Sequence, residues 1–368
     1  MSSPGSSSSS SRRLMAPVPI DRLRSLHFAT VNVRYDGQRD HTTPIPGRGS
    51  LSSSWHRPSG SKYDELPWAE RRSRLVDALL SMGELDIVGF QEVYHNQLLD
   101  LAVLLGPTYG HVGVGRDDGK EAGEYSPIFY DRTKFEVIKW KTLWLSPTPD
   151  VPGSKGWDAG QTRIATILCL RCIRSKELVH VINTHYDDQG VKARAQSSLM
   201  LRDHVYSWST RIEGEGDGGM KGPVILLGDF NSPPTEDGYK NITSTKPLPD
   251  RPSFSFLDTY THLRTRPLSS ESTKPIPPRQ SAPYGPANTY TGFTAPGRTR
   301  TMRIDFIMLA SASLATDDAV AAERVRARGG WEVGQYACVD NWVEEGDAEG
   351  WQGRWSDHRA VRVTIRRL

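Results

Sequence analysis

Hydrophobic positions along the chain fall into short dense runs, and the runs follow two different periods. LHFATVNV (26–33), LDIVGFQEV (85–93), SPIFY (126–130), FEVIKWKTLWL (135–145), RIATILCLRCI (163–173), LVHVINTH (178–185) and PVILLGDFN (223–231) are apolar or alternating stretches rich in β-branched and aromatic residues. That pattern predicts buried strands, and RIDFIML (303–309) and AVRVTI (360–365) read the same way. Helical spacing appears in three places. From Asp64 to Met82, Leu75, Leu79 and Met82 recur behind Pro67; a shorter helix runs through Leu98, Leu101, Val103 and Leu105 and stops at Gly106-Pro107. From Val191 to Ile212, Ala195, Leu199, Val205, Trp208 and Ile212 fall near one face. The strands between 126 and 185 follow one another with joins too short for crossover helices. Many strands in hairpin-like succession, with a few helices among them, predict an α/β fold of two packed sheets flanked by helices.

Between the runs, residues 1–22 are Ser-rich and read as a disordered tail, followed by a single domain over 23–368. Loop insertions rich in Gly, Ser, Pro and Thr are expected near 37–62 and 232–288, the second holding one short strand or helix near 254–259. The tract between 309 and 360 shows no clear period. At 368 residues the chain can bury a large core. A net charge of +3, from 46 basic and 43 acidic residues, gives no large field favouring nucleic acid, although a local basic groove stays open. No apolar stretch approaches the length of a membrane span. The first residues lack the apolar centre of a secretory signal, so the cytoplasm is the expected compartment and a mitochondrial transit peptide the alternative; a monomer is expected. Cys169 and Cys172 have zinc-like spacing but no second pair, and their apolar surroundings read as a buried strand.

The chemistry shows where polar residues interrupt buried strands. VILLG leads directly to Asp229 and Asn231, and residues two apart on a strand share a face. Asn32, Glu92 and His185 close three other strands, Asp305 sits within RIDFIML, and Asp357-His358 precede AVRVTI. Taken singly, each is a turn former or a hydrogen-bonded core residue. Together they place carboxylates, amides and imidazoles at strand ends that can converge. An oxygen-rich set of this kind suits Mg²⁺, with Mn²⁺ or Ca²⁺ as alternatives, and argues against structural zinc. An Asp beside a His is the arrangement that orients an imidazole for proton handling or phosphate contact.

The elements TVNVRYDG, VGFQEV, NTH, GDFNSPP, RIDFIM and SDHRAV, in that order from residue 31 to 361, resemble the endonuclease/exonuclease/phosphatase superfamily. The loops around 67–72, 115–130 and 150–158 are similar to an uncharacterised microbial branch of it. The resemblance implies a DNase I-like four-layer α/β sandwich, with two central, mostly antiparallel sheets flanked by helices and the site at one end. It implies that Glu92 and Asn32 bind the metal, with Asp357 assisting, and that Asp229 orients or deprotonates the attacking water. Asn231 and His358 would contact the phosphate, Asp305 would orient His358, and His185 would support the leaving group or phosphate. His185 matches the phosphatase, sphingomyelinase and deoxyribonuclease branches, whereas apurinic endonucleases carry a tyrosine in a comparable place. Arg34 replaces an acidic residue of those endonucleases. Arg34 and Arg163 are candidate phosphate contacts, each equally readable as a charged surface position. Trp157 and Tyr125 are candidate walls of a substrate pocket or, failing that, loop anchors, as is Trp144. Arg298, Arg300 and Arg303 form a small basic cluster that could grip a second phosphate.

The favoured reading is a Mg²⁺-dependent phosphatase or phosphodiesterase acting on a small phosphorylated molecule: a sugar phosphate, nucleotide or lipid headgroup. The alternative is a nuclease using the same site on DNA or RNA. A non-catalytic binding protein ranks last, because every expected position holds a competent residue.

Overall fold

Each apolar run becomes a strand in the computed structural model, which describes residues 23–36, 65–214, 222–266, 279–280, 282–295, 297–318, 326–346, 348 and 350–367. The expected tail at 1–22, the insertion at 37–62 and part of the one at 232–288 lie outside those residues. One six-stranded sheet contains β1 (Ser25–Asn32), β2 (Ile87–Gln91), β3 (Tyr109–Val112), β4 (Ile128–Asp131), β13 (Trp331–Val339) and β16 (Ala360–Arg367), ordered β13-β16-β1-β2-β4-β3. The other contains β5 (Phe135–Trp144), β6 (Ile164–Cys172), β7 (Leu178–His185), β8 (Val224–Asp229), β9 (Phe254–Asp258) and β12 (Asp305–Leu314), ordered β5-β6-β7-β8-β12-β9. Two short ribbons complete the strands: β10 (Thr265–Arg266) with β11 (Arg279–Gln280), and β14 (Trp342–Val343) with β15 (Gly353–Arg354). The central pairs β1/β2 and β7/β8 run parallel, and the other neighbours in the two large sheets are antiparallel. Parallel strands need a crossover. α1 (Trp68–Leu80) supplies it for the first pair and α3 (Val191–Gly214) for the second.

Period-2 alternation assigns the layers. Phe28, Ile87, Val181, Leu227, Ile307 and Val363 point between the sheets into one shared core. Ala29 and Val88, next to Phe28 and Ile87, point outward instead with Phe90, under α1 and α2 (His95–Leu105). On the other side Ile182, Leu226 and Met308 pack under α3 and α4 (Asp237–Thr243). The result is the four-layer α/β sandwich expected from the sequence.

The departures have local causes. β13 lies in the tract without a clear period because its register shifts between Val333 and Gln335, so a bulge breaks the alternation. β3 is a four-residue edge strand with mostly half-exposed residues, too short to show a pattern. α3 buries Ala193, Leu201, Val205 and Ile212, whereas Ala195 and Leu199 are only half-buried. Its inward face also carries Arg202, whose guanidinium donates to the carbonyls of Phe254, Asn241 and Lys246. A buried arginine satisfied by carbonyls cannot be told from a surface one by periodicity. No helix among the described residues is long and apolar enough to cross a membrane.

Candidate active site

The parallel pairs bring their C-terminal ends to one rim of the sandwich, and the chain turns sharply after each. Asn32 ends β1, and its Oδ1 accepts the Arg34 backbone N–H at 2.9 Å; Arg34 is left-handed, with φ 61°. Asp229 ends β8, its Oδ1 accepts the Asn231 N–H at 2.8 Å, and Asn231 has φ 46°. Asp229 and Asn231, like Asn32 and Arg34, are thus set side by side by a turn rather than by strand alternation. Glu92, one residue past β2, also has positive φ, 58°. Such conformations are costly for non-glycine residues and cluster where a side chain must be aimed. Gly228 has φ 142°, and a Cβ there would lie 2.0 Å from the Thr184 carbonyl oxygen, which explains the glycine in GDFN.

These turns build one connected group across both sheets. Asn32 Nδ2 donates to Glu92 Oε1 at 2.8 Å and to Asp229 Oδ2 at 3.1 Å, joining the two strand pairs. Glu92 Oε2 accepts the Tyr35 N–H at 3.2 Å. Asp305 faces Asp229 in the β12/β8 register, and its Oδ2 lies 2.9 Å from His358 Nδ1. His358 Nε2 is 3.7 Å from Asp229 Oδ2. Burial by itself would keep His358 neutral, but Asp305 and Asp229 outweigh it and hold the imidazolium well above the ordinary histidine range. Asp229 is pushed up to about 7, chiefly by burial and next by Asp305, against the pull of His358. His185 goes the other way: burial, then the cations Arg163 and Arg116, hold its pKa well below the usual value. Its neutral ring lies 2.8 Å from Arg163 Nη1 through Nδ1 and 3.0 Å from Asn231 Nδ2 through Nε2.

A cavity of about 410 Å³ opens over this group, lined by Glu92, Asp229, Asn231, His185, Asp357, His358, Arg34 and Arg163 among others. Asn32 and Asp305 lie beneath it. The two arginines are engaged already. Arg34 is 3.4 Å from Glu65 Oε1 and 3.9 Å from Glu92 Oε2, and Arg163 Nη2 donates to Asp188 Oδ1 at 2.8 Å. Asn231 Nδ2 donates to Tyr186 O at 3.0 Å and lies 3.0 Å from His185 Nε2, so contact with a phosphate would require it to leave these partners.

Tyr125 and Trp157 are not among the lining residues. Tyr125 is buried in the core beneath α2, with its hydroxyl 2.9 Å from His95 Nδ1 and donating to Lys120 O, so it anchors the loop. Trp157 is half-buried on a loop tied to α3, where the next residue, Asp158, accepts the Lys192 and Ala193 N–H groups. Trp144 donates to Arg116 O at 2.7 Å and is a loop anchor too. Arg303 is committed to Asp258 at 2.6 Å and stacks on Tyr260, leaving it no free face for a second phosphate. The aromatic lining is Tyr35 and Tyr290 instead, and the polar lining adds Glu124, Gln161 and Asp188. Tyr35 sits inside the TVNVRYDG motif and could have been read there; Tyr290 and Glu124 lie in loops without a periodic signal.

Cys169 and Cys172 are buried free thiols, as expected of strand residues, and Cys338 is a third. Asp229, Asp305 and His358 hold their donor atoms within 4.8 Å of one another, a buried group whose spacing could hold a metal ion. A protonated His358 has no lone pair for a metal, however, and its charge already serves both carboxylates.

The sequence profile of the Endonuclease/Exonuclease/phosphatase family matches residues 29–358. No curated protein sequence matches this one. Among solved structures, an endonuclease/exonuclease/phosphatase from Bacteroides vulgatus is similar at 29% identity and a TM-score of 0.65, over 94% of this chain and 100% of that one. The Bacteroides thetaiotaomicron mannosyl-6-phosphatase is similar at 26% identity and a TM-score of 0.63, over 92% and 99%. The catalytic domain of human nocturnin shares the fold at 16% identity and a TM-score of 0.52, over 93% and 95%. The chain therefore belongs to the endonuclease/exonuclease/phosphatase family and is an enzyme that hydrolyses phosphoesters.

Proposed function

We propose that this enzyme is a Mg²⁺-dependent phosphatase or phosphodiesterase acting on a small phosphorylated molecule. The observation that carries the reading is the cavity itself. It measures about 410 Å³ and is walled by five carboxyl groups, those of Glu92, Glu124, Asp188, Asp229 and Asp357. A nucleic-acid track would instead present a run of unpaired lysines and arginines. The similarity to a mannosyl-6-phosphatase supports the same direction.

The family is divalent-metal dependent, and the residues here fit such an ion. Glu92 and Asp357 are carboxyls at one end of the cavity. Burial first, and Glu92 as a like charge, push Asp357 above its usual pKa against the pull of His358. Two acids that repel one another in a site meant for an anionic substrate call for a cation, and oxygen donors select a hard one. Glu92 and Asp357 would hold it, with Asn32 fixing Glu92 through its amide rather than reaching the ion itself, and it would neutralise the non-bridging phosphate oxygens.

The protein's own groups account for the remaining steps. Asp229, poised near neutrality, takes the proton from the attacking water. His358, kept protonated and oriented by Asp305, donates to a phosphate oxygen. Asn231 fixes both Asp229 and His185 through its backbone and side-chain amides. Neutral His185, backed by Arg163, faces the departing oxygen. Arg34 and Arg163 add positive charge on either side.

The test is turnover of a panel of sugar phosphates, nucleotides, inositol phosphates, sphingomyelin and oligonucleotides in Mg²⁺, with and without chelator. Hydrolysis of small phosphoesters that chelation abolishes is expected. Activity confined to oligonucleotides, or indifferent to chelator, would overturn the reading.

A further inference from the structure

The wall of the cavity away from Asp357 contains a carboxylate that the reaction does not use. Glu124 is only 8% exposed, and its Oε2 lies 2.7 Å from the cation Arg116 at Nη1, 3.7 Å from Arg163 Nη1 and 3.8 Å from Nδ1 of the neutral His185. Among the described residues its Oε1 accepts no hydrogen bond, yet that atom is not sealed inside the protein, so it opens onto the cavity. The loop cannot easily move it away. Tyr125, the next residue, pairs with Val93 beside Glu92 through an N–H···O bond of 2.7 Å, and Arg116 N–H donates to Glu124 O at 3.0 Å. Gln161 stands beside it, its Oε1 taken by Arg116 Nη2 and its amide hydrogens left toward the cavity. An acceptor and a donor are thus held side by side with no partner among the described residues.

The chemistry of these groups narrows what they face. A carboxylate repels phosphoryl oxygens, so Glu124 cannot face the phosphate. An apolar or aromatic alcohol portion would strand a buried carboxylate oxygen without a partner, which is costly. Neighbouring hydroxyls satisfy both groups, one donating to Glu124 Oε1 and another accepting from Gln161. Burial, the largest influence on Glu124, pushes its carboxyl up to about 6 against the pull of Arg116, so it is mainly ionised at neutral pH and ready to accept.

We propose that Glu124 and Gln161 form a hydroxyl-recognition subsite that selects substrates whose alcohol portion is a polyol of sugar size. This rests on the small-phosphoester reading above. Glu124 is a specificity-determining residue, because it touches the part of the substrate that does not react.

The experiment compares kcat/KM for the best of a set of hexose 6-phosphates with that for cyclohexylmethyl phosphate. Both have a six-membered ring and a primary alkoxide leaving group, but the second lacks hydroxyls. The wild type should prefer the hexose phosphate, and Glu124→Gln should lower that preference at least about tenfold, the scale of one hydrogen bond to a charged group. The ratio does not depend on how much of the variant is folded. Should Glu124→Gln yield no active protein, Glu124→Asp carries the same ratio, expected to fall as the acceptor is withdrawn. A preference unchanged by the variant overturns the subsite, as does a wild type with no preference. A parallel loss on both substrates leaves the ratio fixed and assigns Glu124 to the leaving oxygen instead, which also overturns it. A wild type that turns over neither compound overturns the subsite alone, because the small-phosphoester reading is decided by the wider panel above.

Discussion

At the end of β1, Asn32 accepts an N–H from the residue two positions on; at the end of β8, Asp229 does the same, and both second residues are left-handed. The two sheets thus use one turn to present one side chain each, from equivalent central parallel pairs with equivalent crossover helices. The groups that close the two turns differ, amide against carboxyl, and they end the first strand of one pair and the second strand of the other. Once its oxygen is used by the turn, the Asn32 amide still donates two hydrogens, and it spends them on Glu92 and Asp229. The second oxygen of the ionised Asp229 accepts, and it lies among Asn32, His185 and His358. In the proposed mechanism Asn32 therefore braces Glu92, which would hold the cation, and Asp229 moves the proton. The fold repeats its architecture, and the chemistry comes from where the repeat is broken.

Erasing that difference should have the largest effect. Asp229→Asn makes the two ends alike, and kcat should fall about 10⁴-fold, the upper range for loss of a positioned base. A loss smaller than tenfold would remove Asp229 from the proton-transfer role. The same variant should be more stable than the wild type without metal. Because the folded-state pKa of Asp229 is raised to about 7 from a usual value of 3.8, the unfolded chain binds fewer protons between those values. The wild type then loses stability as pH rises from about 4 to 7, and the asparagine variant lacks that loss. Thermal melts across this window should show the gap widening toward pH 7.

Next in size is Glu92→Gln, which keeps the shape of the first sheet's end while removing its charge. Affinity for Mg²⁺, read from the metal dependence of turnover, should fall more than about 100-fold. Saturation at the wild-type metal concentration would place the ion elsewhere. Asn32→Asp tests the reverse conversion, giving the first end the group of the second. It removes both donated hydrogens and sets a new negative charge 3.1 Å from an oxygen of Asp229. Turnover at pH 7 should drop roughly tenfold to 100-fold, and the acid limb of the pH–rate profile should move upward, because a like charge makes Asp229 harder to ionise. A limb that stays in place would separate Asn32 from the base.

Much of this was legible in the sequence because strand ends leave a sharp signature, a run of apolar residues broken by Asn, Glu, His or Asp. Asn32, Glu92, His185, Asp229 and Asp305 each stand at such a break, and the structure gathers all five. Strand alternation predicts the pairing of Asp229 with Asn231 for the wrong reason, since a left-handed turn, invisible to a period-2 pattern, sets them together. Loops carry no period, so Glu124 and Tyr290 left no trace, and Tyr125 was indistinguishable from a pocket wall until its packing was seen. The bulge at Val333 hid β13 for a related reason: one extra residue flips every later side chain to the other face.

The smallest expected effect concerns what keeps the two ends in register. Directly beneath the site, Gln91 Nε2 on the first sheet donates to Asn183 Oδ1 on the second at 2.7 Å and to Thr30 Oγ1 at 3.0 Å. Asn183 Nδ2 returns bonds of 2.8 Å to the carbonyls of Phe90 and Pro127. This is a buried polar bridge through an otherwise apolar interface. Gln91→Met keeps most of the volume but leaves Asn183 Oδ1 unsatisfied, which costs about 1–3 kcal/mol. The buried Gln91 Oε1 has no partner among the described residues, and its removal offsets part of that cost. A net loss near the lower end, about 1 kcal/mol, should appear as a lower urea midpoint. If apolar packing alone aligned the sheets, the midpoint would stay put or rise. If the bridge sets their register, a further signature follows: KM for the hexose phosphate should rise in Gln91→Met, since Glu92 and His185 belong to opposite sheets and a small slip separates them.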